Sequence, residues 1–172
     1  MISIISASNR EGNLTAQFAK KCQQYLNTKQ IDSQVYFLDE LPEQLTLKSI
    51  YSYEDSVFEP IGRKLIDPAD KLLFVVPEYN GSIPGILKLF IDAIEPSLFS
   101  GKKAALIGVA AGRAGNLRGM DHLTDILHHL QVNVMPQKLP ISKMYDLLNE
   151  DGVEDSVTIK AIELQVQNLI DF

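Results

Sequence analysis

Between Leu72 and Lys88 the chain runs through a strand, a loop and a helix start without interruption, and that order limits the folds open to it. Leu72, Leu73, Phe74, Val75 and Val76 form a continuous apolar run, which fits a strand buried on both faces. Pro77 breaks the run, a polar loop follows through Glu78, Tyr79, Asn80 and Gly81, and a helix restarts near Pro84. Proline suits the first helical turn, because its missing N–H would find no partner there and its φ is already set. Strands covered on both faces belong to parallel sheets, where ligands bind beyond the carboxyl ends of the strands. A loop carrying Glu78, Tyr79, Asn80 and Gly81 at that place suits contact with something flat and polar.

The same alternation repeats along the chain. Strands are expected at 2–6, 35–38, 72–76, 104–109 and 132–135, and helices at 14–26, 57–66, 84–94, 117–130 and 157–170. Asn13 is the expected cap of the first helix, whose apolar positions Leu14, Phe18, Cys22 and Tyr25 recur at helical spacing. Asp67-Pro68 should stop the second helix. Residues 40–56 show no clean period and read as an irregular connection, while Pro136 and Pro140 mark a loop after the fifth strand. Five strands alternating with five helical stretches over residues 1–172 predict a single α/β domain, a doubly wound parallel sheet with helices on both faces.

Charge narrows the partners. Sixteen basic against twenty-two acidic residues leave a net charge of −6, which argues against nucleic acid and acidic membrane, since both call for a basic face. The single cysteine, Cys22, cannot form an intramolecular disulfide and fits a reducing compartment. The first strand begins without the basic region and long apolar core of a signal peptide, and no apolar segment reaches membrane-spanning length. A soluble cytoplasmic protein is expected.

Three strand-to-helix loops, after strands one, three and four, would then lie along one edge of the sheet. The first, from Ser8 to Thr15, sets hydroxyls, a carboxamide and the Arg10 guanidinium at a helix N-terminus. Free backbone N–H groups and the positive end of the helix dipole attract a phosphate there, and Arg10 adds a charge-assisted donor. Plain capping by Ser8 and Asn13 accounts for the same residues, and this loop alone does not decide between the two.

Other chemistries are tested and fail. A Walker A loop is nowhere in the chain, and Gly112-Arg113-Ala114-Gly115 is not the dinucleotide fingerprint and follows the fourth strand instead of the first. A thiolate phosphatase would place its cysteine in the first loop, whereas Cys22 falls inside the helix. A phospho-acceptor pocket would want an aspartate where Ser6 stands. No His/Cys cluster has metal spacing, and the adjacent His128 and His129 point to different helix faces.

Taken together, Ser8-x-Arg10-x-x-Asn13 and the run Pro77-Glu78-Tyr79-Asn80-Gly81-Ser82-Ile83-Pro84-Gly85-x-Leu87-Lys88 closely resemble the NADPH-dependent FMN reductase family, over essentially the whole chain. The resemblance implies a flavodoxin-like fold with strand order 2-1-3-4-5, non-covalent FMN, NADPH or NADH as co-substrate, a small-molecule electron acceptor such as a quinone or free flavin, and a homodimer or homotetramer. By position it assigns Ser8, Arg10, Asn13, Leu14 and Thr15 to the FMN phosphate. Pro77, Glu78, Tyr79, Asn80 and Gly81 would lie along the isoalloxazine and ribityl chain, and Ala111, Gly112, Gly115 and Asn116 would face the other edge of the flavin. Asn13 and Thr15 stand where serine and asparagine are common, Gly81 where a larger side chain is common, and Leu89-Phe90 where Asn-Ala is usual. The loop from Ala111 to Asn116 lacks the usual serine and paired glycines.

With FMN bound, the cofactor carries the chemistry, so neither Glu78 nor any other side chain is needed as a nucleophile. Two rivals stand beside this reading: a flavodoxin-like electron carrier without NAD(P)H activity, and an interaction module that keeps the fold without the flavin.

Overall fold

The computed structural model describes residues 1–42 and 58–172. Most of the irregular connection expected at 40–56, and the start of the helix expected at 57, lie outside the described residues. Four long or medium strands form the centre of the sheet: β1 (Ile2–Ser6), β2 (Ser33–Phe37), β3 (Lys71–Pro77) and β4 (Lys103–Val109). The two-residue β5 (Asn133–Val134) completes the order β2-β1-β3-β4-β5, and every pairing is parallel. This is the order that the family resemblance implies. Helices α1 (Thr15–Thr28), α2 (Glu59–Leu65), α3 (Gly85–Ala93), α4 (Leu117–His129) and α5 (Ser156–Asp171) flank it.

The apolar strands sort their side chains onto two faces, as the period of two demands. Ile5, Phe74 and Leu106 pack with Leu87, Phe90 and Leu123 in one core cluster, while Ile4, Val75 and Ile107 pack with Phe18 and Val166 in the other. Phe18, Phe74 and Phe90 are fully buried, each contributing roughly 1.5–3 kcal/mol of transfer free energy. In register, Ser6 lies opposite both Phe37 and Val75, and Val75 opposite Ile107. The carboxyl ends of β1, β3 and β4 therefore emerge together, and the three loops share one edge.

Several expected boundaries move. α1 begins at Thr15 instead of Leu14, and Leu14 itself stands at the N-cap without a side-chain bond; Asn13, one residue earlier, accepts the Ala16 N–H through Oδ1 at 3.2 Å. Pro84 stands just outside α3, with an extended ψ of 139°. The proline-marked loop after the fifth strand is in part a strand: β6 (Leu139–Ile141) pairs with β4, Pro140 lying opposite Gly108. Pro136 interrupts the edge ladder after β5, and an edge strand tolerates Pro140 because one side of it needs no partner. A short hairpin, β7 (Leu148–Asn149) with β8 (Gly152–Val153), precedes α5 and was not expected.

The opposite edge of the sheet is closed by lysines. Lys71 Nζ donates to the carbonyls of Leu169 and Ile170 at the end of α5, and Lys102 Nζ to those of Asp67 and Ala69 beyond α2. Cations suit helix C-termini, where carbonyls lack partners. Cys22 lies fully buried on α1, and desolvation pushes its thiol pKa up to about 12. No described helix is long and apolar enough to cross a membrane.

Candidate functional site

β1 ends in buried Ser6, and the chain turns out over the sheet edge through Ala7, whose N–H donates to Val75 O on the neighbouring strand at 2.9 Å. Ser8 stays buried, at 1% exposure, whereas Asn9, Arg10, Glu11 and Gly12 are exposed. A tight turn closes between Asn13 N–H and Arg10 O at 3.1 Å, with Gly12 at a φ of +66°. The N–H groups of Glu11, Gly12, Leu14 and Thr15 have no acceptor among the described residues. α1 has no acidic residue in its first turn. An N-terminus in that state favours an anion through its unpaired donors and its dipole.

The two flanks of this loop differ in charge. On the outer flank, a groove of about 610 Å³ is lined by Asn9, Glu11, Gly12, Lys20, Asp39 and Glu40 among others, and its three carboxylates repel a phosphate. Asp39 Oδ2 also accepts from Asn13 Nδ2 at 3.2 Å. On the inner flank Ser8 Oγ lies 2.7 Å from Tyr79 Oη, and the Arg10 guanidinium sits 5.8 Å from the Tyr79 ring centre. The outer flank sets three carboxylates against Lys20, whereas the inner flank brings together Arg10 and two hydroxyls.

The second loop is a reverse turn. Tyr79 and Ser82 exchange both backbone hydrogen bonds, at 3.0 and 3.1 Å, around Asn80 (φ +52°) and Gly81 (φ +76°). Two consecutive left-handed residues define a type I′ turn, for which Asn-Gly is the favoured pair. The Asn80 and Gly81 N–H groups have no acceptor among the described residues, and a Cβ on Gly81 would meet nothing within 4 Å. Pro77 is buried as the last residue of β3. Glu78 is half-buried, its N–H bonded to Val109 O at 3.0 Å, and its carboxylate is in no salt bridge among the described residues.

The third loop divides. Ala111 and Gly112 are exposed, with open space around the Gly112 Cα, whereas Gly115 and Asn116 are buried. Asn116 Nδ2 donates to Val76 O at 2.9 Å, tying α4 to β3. Its Oδ1 is buried without a partner among the described residues, beside Gly119. Ala111 and Gly112 thus sit at the open edge with the first two loops, and the Gly115 and Asn116 side of the loop lies beneath them as support.

Two neighbours of these loops escaped the sequence reading. His122 on α4 bonds through Nδ1 to Ser82 Oγ at 2.8 Å, and nothing in its spacing marked it. Residues 142–144 brace the third loop: Ser142 Oγ donates to Arg113 O at 2.7 Å, Lys143 N–H to Gly112 O at 3.0 Å and Met144 N–H to Ala110 O at 3.1 Å.

Residues 1–146, most of the chain, match the family described as NADPH-dependent FMN reductase. The chain belongs to that family. An NAD(P)H-dependent FMN reductase of Pseudomonas aeruginosa is 39% identical over 112 residues, which are 62% of this chain and 60% of that protein. A 2-hydroxy-1,4-benzoquinone reductase of Burkholderia is 38% identical over 96 residues, 51% of this chain and 52% of its own length. The chain thus spans between half and three fifths of these two relatives. A Staphylococcus aureus FMN-dependent NADPH-azoreductase is 26% identical across 98% of this chain and 93% of its own. In fold, the chain is similar to FerB, a flavoenzyme NAD(P)H:(acceptor) oxidoreductase from Paracoccus denitrificans, with a TM-score of 0.79 at 23% identity over 99% and 94% of the two chains.

Proposed function

We propose that this member of the FMN reductase family is an FMN-dependent NAD(P)H oxidoreductase that passes electrons from NADPH or NADH to a quinone, free flavin or similar small acceptor. The observation that carries the reading is the shared edge. N–H donors without an acceptor among the described residues stand beside Arg10 at Glu11, Gly12, Leu14 and Thr15 on one loop, and at Asn80 and Gly81 on the next. The distance between the loops is fixed by the 2.7 Å contact of Ser8 with Tyr79. A planar dianionic ligand with a polar rim needs those two sets of donors.

The residues fit FMN. Arg10 and the first-loop N–H groups, with Ser8, Asn13 and Thr15 around them, would hold its phosphate. Bound there, FMN supplies the two-electron chemistry. The protein binds and orients: Pro77 to Gly81 would border the ring, and the open space at Gly81 and Gly112 leaves room for a flat group beside the backbone. N–H donors of Asn80, Gly81 and the 111–112 segment would favour negative charge at the polar rim. We further propose that the chain works in the cytoplasm as a homodimer or homotetramer, as its family resemblance implies, without nucleic-acid or membrane partners.

The test is spectroscopic. Purified protein titrated with FMN is expected to take up one flavin per chain, to lose the flavin absorbance on addition of NADPH or NADH, and to regain it with a benzoquinone. Protein that takes up no FMN refutes the reading. Protein that binds FMN but reacts with neither nicotinamide is instead an electron carrier.

A further inference from the structure

We infer that Tyr79 is a positioning residue that joins the two ends of the proposed FMN site, holding the phosphate loop from the base of the turn that borders the ring. The inference rests on the FMN reading above. The backbone of Tyr79 belongs to the second loop, where it closes the Asn80-Gly81 turn through its two bonds to Ser82. Its side chain belongs to the first. Tyr79 Oη lies 2.7 Å from Ser8 Oγ, across 71 residues of sequence, and its ring lies 5.8 Å from Arg10 Cζ.

Ser8 makes the arrangement a chain of contacts and not a chance meeting. Its hydroxyl also accepts the Arg10 N–H at 3.3 Å, and one hydroxyl has the proton and lone pairs to serve both neighbours. At 1% exposure Ser8 has little access to replacement water, so loss of the tyrosine hydroxyl leaves it short of a partner. The Tyr79 ring meanwhile offers its face to the guanidinium, an attraction that leaves the in-plane N–H donors of Arg10 free for a phosphate. Tyr79 thus constrains both groups proposed for the phosphate, Ser8 through its oxygen and Arg10 through its ring. The contribution of its hydroxyl is made through them, whatever its backbone borders at the flavin ring.

That distinction is measurable, because riboflavin has the ring system and lacks the phosphate. Apo-protein would be titrated with FMN and with riboflavin, following the quench of flavin fluorescence. Tyr79→Phe keeps the aromatic face and removes the hydroxyl; it is expected to raise the FMN Kd about five- to tenfold and the riboflavin Kd less than about twofold. Ser8→Ala should do the same. The double variant should lose no more than Ser8→Ala alone, since the bond that Tyr79→Phe removes is already gone once the serine hydroxyl is absent. Equal losses for both flavins would overturn the inference and assign Tyr79 to the ring, as would full additivity of the two substitutions or an unchanged FMN Kd in Tyr79→Phe. A wild-type protein that binds neither flavin sinks the FMN reading itself, an outcome distinct from all of these.

Discussion

The first and third loops leave parallel strands on either side of β3 at the same edge, yet much of their backbone is treated in opposite ways. The loop after β1 stands off the protein: Asn9 to Gly12 are exposed, four N–H groups have no acceptor among the described residues, and a Cβ on Gly12 would touch nothing within 4 Å. Beyond its exposed tip at 111–114, the loop after β4 is pressed against its flanking strand and helix. A Cβ on Gly108 would fall 2.3 Å from Gly115 O, one on Gly115 would fall 2.6 Å from Pro140 Cβ, and one on Gly119 would fall 2.1 Å from Asn116 Oδ1. Gly12 serves conformation in the first loop, whereas Gly108, Gly115 and Gly119 serve proximity at the base of the third. An edge that must both admit a ligand and keep its shape has one loop for each task.

Substitutions that fill the tight contacts should break the third loop most severely. Gly108→Val is expected to cost about 3 kcal/mol, the upper end for overpacking, because the obstructing atoms are backbone as well as Met120. Urea denaturation would read it as a lower midpoint at unchanged slope. Next comes Arg10→Ala in the open loop. It should weaken FMN binding by roughly 1.5–3 kcal/mol, the range of a charge-assisted bond, while leaving the melting temperature of the apo-protein unmoved. Unchanged affinity would mean that the guanidinium points elsewhere.

Gly12→Ala sharpens the contrast. There is ample room for the methyl group, so the cost is conformational, about 1 kcal/mol from the φ of +66°. A loss as large as that at Gly108 would show that the first loop is packed after all.

The smallest effect is expected at α5, whose N-terminus is closed by its own carboxylate. Asp155 Oδ2 accepts the Thr158 N–H at 2.7 Å, and that bond holds its pKa below the usual carboxylate value. The stability it adds is present above the unfolded-state value and is lost as pH falls through the lower folded one. Asp155→Asn keeps a capping oxygen and should flatten that part of the melting-temperature profile below about pH 5.

The sheet was readable because its strands are unbroken apolar runs, a pattern that burial on both faces enforces. Leu72 to Val76 and Ala104 to Val109 left little else to choose, and the order β2-β1-β3-β4-β5 followed from the family resemblance. β6 was missed because Pro136 and Pro140 look like breakers to any rule that does not know the strand lies at an edge. Asn80-Gly81 could have been read as a type I′ turn from the dipeptide alone. The position of Asn116 could not. Only the folded chain shows its Nδ2 donating to Val76 O while its Oδ1 finds no partner among the described residues. Nor could sequence join Ser8 to Tyr79, since that contact depends on two strands lying side by side.

Quinones are electrophiles as well as oxidants, and they alkylate thiolates. In a protein proposed to reduce them, the one thiol, Cys22, is fully buried on the inner face of α1, and desolvation raises its pKa to about 12, against the reactive thiolate. Repeated turnover with a reactive acceptor would then leave no adduct on the chain's one thiol.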